Sequence, residues 1–144
     1  MSATDGDEAG DRRLEAQRWL AIVREDIDVA VAAAGLTPPR HGAAGYHLQQ
    51  AAEKILKALL VLVGEPFRHT HDLDYLVAKT APFYPEIVDD LEQFRPLSIW
   101  SVAFRYPAID DEPTIPPNAA EVVRLAALIS GLAKRVDRLA QAIR

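Results

Sequence analysis

Cysteine is missing from this chain of 144 residues. Disulfides, zinc sites with thiolate ligands and a cysteine nucleophile are therefore excluded. Basic charge is short as well: 16 Lys and Arg stand against 21 Asp and Glu, which leaves a net charge of −5 and a pI near 5.3. A protein that lives on phosphate-backbone contacts shows a basic footprint, so nucleic-acid binding here would need a local patch. No apolar run reaches the roughly 18–20 residues of a membrane span, and no membrane partner is expected. The opening residues lack the basic-then-apolar pattern of a secretion signal, so a cytoplasmic location is the expectation. Convincing period-two alternation is absent too, which argues against strands.

What is present suits one globular domain: 49% of residues are hydrophobic and 26% charged. The acidic start "MSATDGDEAGD", residues 1–11, reads as a disordered tail, and residues 12–144 as the domain. Residues 12–34 contain no Gly or Pro, and Leu14, Trp19, Ile22, Val23, Ile27 and Ala30 recur at helical spacing. "GLTPPRHG" breaks the chain. A second helix spans residues 45–64, and a third follows, with Thr70 as its N-cap and Asp72 and Asp74 favouring its positive end. Tyr84-Pro85 opens a further helix that points Ile87, Val88, Leu91 and Phe94 inward. Pro96 ends it and starts a short one through Phe104. "RYPAIDDEPTIPP" must be irregular. Asn118 and Glu121 have capping-box spacing. After them Val122, Leu125, Ile129, Leu132, Val136, Leu139 and Ile143 form an a/d seam on a helix of roughly 40 Å. The expected fold is all-α: an up-and-down bundle of four to five main helices, the first two long and antiparallel.

The stretch "GYHLQQAAEKILKALLVLVG" carries the chemistry. Leu48, Ala51, Ala52, Ile55, Leu56, Leu59, Leu62 and Val63 share one wide face at about 100° per residue. Tyr46, His47, Gln50, Glu53, Lys54 and Lys57 fall opposite, on a strip of roughly 120°. Such a strip is either a solvated face with a Glu53–Lys57 pair of a few tenths of a kcal/mol or one wall of a site. His71 beside Asp72 suggests an acid–base pair, but the first turn of a helix explains both residues equally well. His69 and His71 lack carboxylates at a suitable spacing for a metal site.

Taken together, "YHLQQAAEKILKALLVLVGEPFRHTHDLDYLV" resembles the signature of the HEPN family, helical domains named for nucleotide binding in higher eukaryotes and prokaryotes. The matching residues are Tyr46 or His47, Gln50, Glu53, Lys54, Lys57, Ala58, Leu59 and Leu60, then Thr70, His71, Asp72 and Leu73. "VREDIDVA" is similar to the family's first-helix element, with Asp26 at its acidic position, and "FRYP" to its Arg-Tyr-Pro element, with Arg105, Tyr106 and Pro107. The likeness covers roughly residues 14–140. It implies a minimal-nucleotidyltransferase-associated HEPN protein: a nucleotide-binding or interaction module, the non-catalytic partner of that enzyme in a toxin–antitoxin-like pair. No cofactor or metal is implied. The candidate nucleotide-binding residues are Gln50, Lys54, Lys57, Arg105, Asp26 and Tyr46. The lysines and Arg105 would meet phosphates, and Gln50 or Tyr46 the base or sugar. For a site, Lys54, Lys57 and Arg105 should lie close together, with Gln50 and Asp26 nearby. A homodimer is also expected, because family members pair through helices and the last helix has surplus apolar residues in Ala126, Ala133 and Ala140.

The alternative implied by the resemblance is a metal-independent HEPN ribonuclease toxin with a diverged motif, which would take RNA as substrate. That chemistry uses Arg-x(4–6)-His, with Arg holding the scissile phosphate and His moving a proton. After Arg105 the permitted positions hold Asp110, Asp111 and Glu112. Three carboxylates there would repel a phosphate. Arg40 and His47 satisfy the count only at the start of the second helix, away from the Arg-Tyr-Pro element. The incomplete motif weighs against catalysis. Purified protein should leave structured and unstructured RNA intact, and cleavage that disappears in Arg105→Ala would contradict this.

Overall fold

A computed structural model describes residues 3–102 and 114–143. Its first helix, α1, runs Ala3–Ala34. It is continuous through most of the segment that reads as a tail, and it contains no proline. The acids Asp7, Glu8 and Asp11 lie in its second and third turns. Ala9 is buried, and the Arg12 side chain lies against Gly64. Core contact therefore begins earlier than the large apolar residues suggest. The buried seam is Ala9, Ala16, Leu20, Val23, Ile27, Ala30 and Ala33. Leu14 and Ile22, which share the expected helical spacing, point outward at 48% and 39% exposure, and Trp19 is partly buried.

Helix α2 spans His41–Leu62, one turn earlier than the sequence suggests. The six-residue connection from α1 forces the two helices antiparallel, and they form the largest interface in the fold. Gly45 sits where α2 passes closest to the rest of the chain. A Cβ there would come within 2.9 Å of Pro117 Cδ and 3.2 Å of Trp100. At the other end Gly64, with φ +70°, terminates the helix. Its N–H donates to the Val61 carbonyl and that of Glu65 to the Leu60 carbonyl, a Schellman arrangement.

Helix α3, Leu73–Thr80, is capped by Asp72 rather than Thr70: an Asp72 carboxylate oxygen accepts from the Tyr75 N–H at 3.3 Å. Thr70 Oγ1 supports the cap by accepting from the Asp72 N–H at 3.0 Å. The expected helix after Tyr84 is divided. Two 3₁₀ turns, Ala81–Phe83 and Pro85–Ile87, lead into α4, Val88–Glu92, and a longer 3₁₀ segment covers Arg95–Ser101. Pro82, Pro85 and Pro96 each remove a backbone donor, so no long α-helix propagates through this region. Ile87, Leu91, Phe94, Leu97 and Trp100 are nevertheless buried, as a helical reading of the apolar spacing requires for the first three, whereas Val88, also expected inward, is only partly covered.

Helix α5, Ala119–Gln141, is about 34 Å long. Its capping box is complete: Asn118 Oδ1 accepts from the Glu121 N–H at 2.8 Å, and the Glu121 carboxylate accepts from the Asn118 N–H at 3.4 Å. Val122, Leu125, Ile129, Leu132 and Val136 are buried against α1 and α2. Leu139 is not, and Ala140 takes the inward place. A straight helix drifts by about 20° per heptad from a strict seven-residue repeat. Ala126, Ala133 and Ala140, the surplus that suggests a dimer face in the sequence, are all buried within the chain. The described residues contain no strand, and the fold is an all-α bundle.

Tyr84 ties the proline-rich segment to α2 by donating its hydroxyl hydrogen to the Leu59 carbonyl at 2.7 Å. Burial pushes this phenol up to about 12, with Glu86 adding to the rise and Arg135 opposing it. The folded chain thus holds the proton more tightly than the unfolded chain, whose phenol titrates near its ordinary value of about 10. Stability from this group is fully present below about pH 10 and is lost as the pH rises towards 12. Tyr84→Phe should cost about 1 kcal/mol near neutral pH and flatten the fall in stability above pH 10, which chemical denaturation across pH will show.

Candidate functional site

No residue of the polar strip lies on an exposed face. Glu53 and Lys57 are each only 2% exposed, and Tyr46, His47, Gln50 and Lys54 are partly covered. The solvated-face reading fails because α1 lies along one side of the strip and the α2–α3 connection along the other. Two polar networks result.

The first joins α1 to the N-terminal half of α2. Asp26, itself buried, pairs through Oδ1 with His47 Nδ1 at 2.9 Å and through Oδ2 with Lys54 Nζ at 3.2 Å. Lys54 Nζ also donates to Gln50 Oε1 at 2.8 Å, and Gln50 Nε2 donates to Gln49 Oε1 at 2.7 Å. An ammonium only donates, so it fixes which end of the Gln50 amide is oxygen and thereby the direction of the whole relay. Gln49 ends it fully buried, its Nε2 without a hydrogen-bond partner. The Tyr46 ring stands edge-on to His47 at 5.1 Å between centroids.

The second network lies one turn further along α2. Lys57 Nζ donates to Glu53 Oε2 at 3.0 Å and sits 5.5 Å from the centre of the Trp19 ring on α1. Glu53 Oε1 meets His71 Nδ1 at 2.7 Å. A carboxylate oxygen accepts, so Nδ1 carries the hydrogen of this bond and the other ring nitrogen, Nε2, is left to face outward. His71 is therefore paired with Glu53, not with the neighbouring Asp72, which is committed to capping α3.

Between the two networks lies a pocket of about 250 Å³ lined by Tyr46, Gln50, His71, Ser101 and Val102. A larger groove of about 520 Å³ at the far end of α2 is lined by Glu8, Asp11, Glu15 and Glu65 among others. Its four carboxylates outnumber the one cation in its lining, Arg12, which makes that groove a poor place for a phosphate. Among the described residues, no three His, Asp or Glu side chains converge to hold a metal ion.

Of the candidate site residues, Asp26, Gln50 and Lys54 share one hydrogen-bonded network, and Tyr46 lines the pocket beside Gln50. Lys57 is enclosed: Glu53 and Trp19 occupy its ammonium, so it braces the wall rather than meeting a phosphate. Arg105, with Tyr106, Pro107 and the carboxylates Asp110, Asp111 and Glu112, lies outside the described residues. The sequence reading missed Trp19, Gln49, Ser101 and the partnership of His71 with Glu53. Trp19 had a signal, since it stands two turns before Asp26 on the same face of α1. The pairing of His71 had none, because it depends on how the loop after Gly64 folds back.

Comparison with known families follows this geometry. The HEPN domain model matches residues 13–136, most of the chain. The protein belongs to the HEPN domain family, which places it among nucleotide- and RNA-related modules. No curated protein and no solved structure matches it.

A solvated lysine at position 57 would cost about 0.5 kcal/mol or less to replace with alanine. Removing one member of a buried pair leaves an uncompensated charge and typically costs 3–5 kcal/mol. Lys57→Ala should therefore destabilise the fold by about 3 kcal/mol in urea titrations, and the loss should shrink in the double variant Lys57→Met/Glu53→Leu.

Proposed function

We propose that this chain is a nucleotide-binding and interaction module, the non-catalytic partner of a minimal nucleotidyltransferase in a toxin–antitoxin-like pair. One observation carries the nucleotide part of this reading. Two ion networks, each drawing a carboxylate into the bundle, hold Gln50 and His71 at the mouth of one pocket. Burying charge is costly and is rarely spent on a surface that only meets water. Tyr46 and Gln50 supply an aromatic and an amide contact for the base or sugar. Lys54, at the edge of the network and 15% exposed along its side chain, supplies positive charge near a phosphate. Asp26 and Lys57 hold these groups in place. Arg105 belongs to the same reading through its position in the family pattern.

The partner reading rests on the family pattern and on the absence of a completed ribonuclease motif. A homodimer is part of the proposal as well. Its interface must lie elsewhere than the α5 seam, which the core occupies; the outer face of α1, with Leu14, Ile22 and Val29 exposed, is available.

Titration with ATP and GTP, followed by calorimetry and thermal shift, tests the ligand. Nucleotide at 100 times its dissociation constant should stabilise the fold by about 2.7 kcal/mol. Gln50→Ala and Tyr46→Ala should each weaken binding, and Gln50→Ala should also lower the melting of the free protein, because it leaves the buried Gln49 oxygen without its donor. Absence of any shift with every nucleotide at millimolar concentration would defeat this reading.

A further inference from the structure

Among the described residues, the pocket beside Gln50 has no free cation in its lining. The two nearest lysines are already matched: Lys54 to Asp26, and Lys57 to Glu53. What lines the pocket is neutral or weakly basic: a phenol ring, an amide, an imidazole, a hydroxyl and a valine. Its volume of about 250 Å³ falls below the roughly 300–1,000 Å³ of sites that enclose a whole drug-sized ligand. These properties suit a small planar heteroaromatic ring and do not suit a triphosphate.

The polar groups in the pocket are also set in a definite sense. The Gln50 amide cannot flip, because Lys54 donates to its oxygen and Gln49 accepts from its nitrogen. One N–H and one oxygen lone pair remain for a ligand. His71 cannot rotate freely either, because Glu53 holds Nδ1. In the neutral ring this hydrogen bond leaves Nε2 with a lone pair, so it accepts from a ligand N–H. An amide offering one donor beside one acceptor pairs with the amino-and-ring-nitrogen edge of adenine and equally with the carbonyl-and-N–H edge of guanine.

We propose that His71, oriented by the buried carboxylate of Glu53, is a ligand-contacting residue, and that with Gln50 and Tyr46 it makes this pocket a nucleobase subsite. The inference rests on the nucleotide-binding reading above. It adds the part of the nucleotide that is recognised and a residue outside the candidate set. The phosphates then project out of the pocket, towards the α1 side where Lys54 lies.

The test uses the full chain and compares adenosine, guanosine, ATP and inorganic tripolyphosphate by calorimetry. Adenosine should retain most of the affinity of ATP and compete with it, guanosine should compete as well, and tripolyphosphate should not compete. The His71 side chain is two-thirds exposed but donates to the buried Glu53 carboxylate, so His71→Ala should be less stable yet folded, and should lose about tenfold in adenosine affinity. The ¹⁵N shifts of His71 should report hydrogen on Nδ1 in the free protein and a change at Nε2 when adenosine binds. If ATP binds but tripolyphosphate competes and His71→Ala binds adenosine as the unaltered chain does, the subsite is wrong while the nucleotide reading stands. If neither nucleoside nor nucleotide binds, both fall together.

Discussion

The buried pair of Lys57 and Glu53 is the constraint to which the polar half of this bundle answers. Two charges inside a helical core are unfavourable unless each is fully matched. Here the matching groups come from three parts of the chain: the Trp19 ring on α1, the carboxylate on α2 and the His71 imidazole from the α2–α3 connection. Any arrangement of these three segments that separates one from the others leaves a charge stranded. The pair thus selects one register of α1 against α2 out of several that leucine and alanine packing would accept. The Asp26 bonds to His47 and Lys54 repeat the selection further along. Residue numbers rise along α1 as they fall along α2 through these contacts, which is the antiparallel order that the short connection imposes.

The consequence for the site is that its polar groups are held at two levels. Gln50 and His71 face the pocket, and each is fixed by a residue that does not: Lys54 for the amide, Glu53 for the ring. Those residues are in turn held by Asp26 and Lys57. A polar group fixed before a ligand arrives loses little freedom on binding it. The helices provide the rigidity, and the loop after Gly64 provides the last residue. The sharp end of α2 matters for this reason, because the Schellman turn at Gly64 starts the segment that brings His71 back over Glu53.

Helix periodicity and caps could be read from the residues because they are local properties. The apolar face of α2, the capping box at Asn118 and most of the α5 seam follow from spacing alone. The approach of Asp26 to the middle of α2 was legible too, since a short connection leaves only an antiparallel hairpin. The start of α1 was not, because its acids resemble those of a disordered tail until Ala9 and Arg12 find partners at the end of α2. The burial of Lys57 was hidden for a different reason. Periodicity sorts side chains into faces of one helix, and a polar face looks the same whether water or another helix lies opposite. The prolines around Tyr84 indicated interruption but not that 3₁₀ turns would carry the apolar residues inward.

Gly45 links the packing of the bundle to the width of the pocket. Its missing side chain lets α2 approach Trp100 and Pro117, and the next residue on each segment, Tyr46 and Ser101, lines the pocket. A single methyl group at this contact would act as a wedge, moving one wall of the pocket relative to the other without touching a polar atom. The dimensions of the pocket are thus inherited from a van der Waals contact inside the bundle. Variation that preserves every hydrogen-bonding residue could still retune what the pocket admits, and the position where that would happen carries no chemistry of its own.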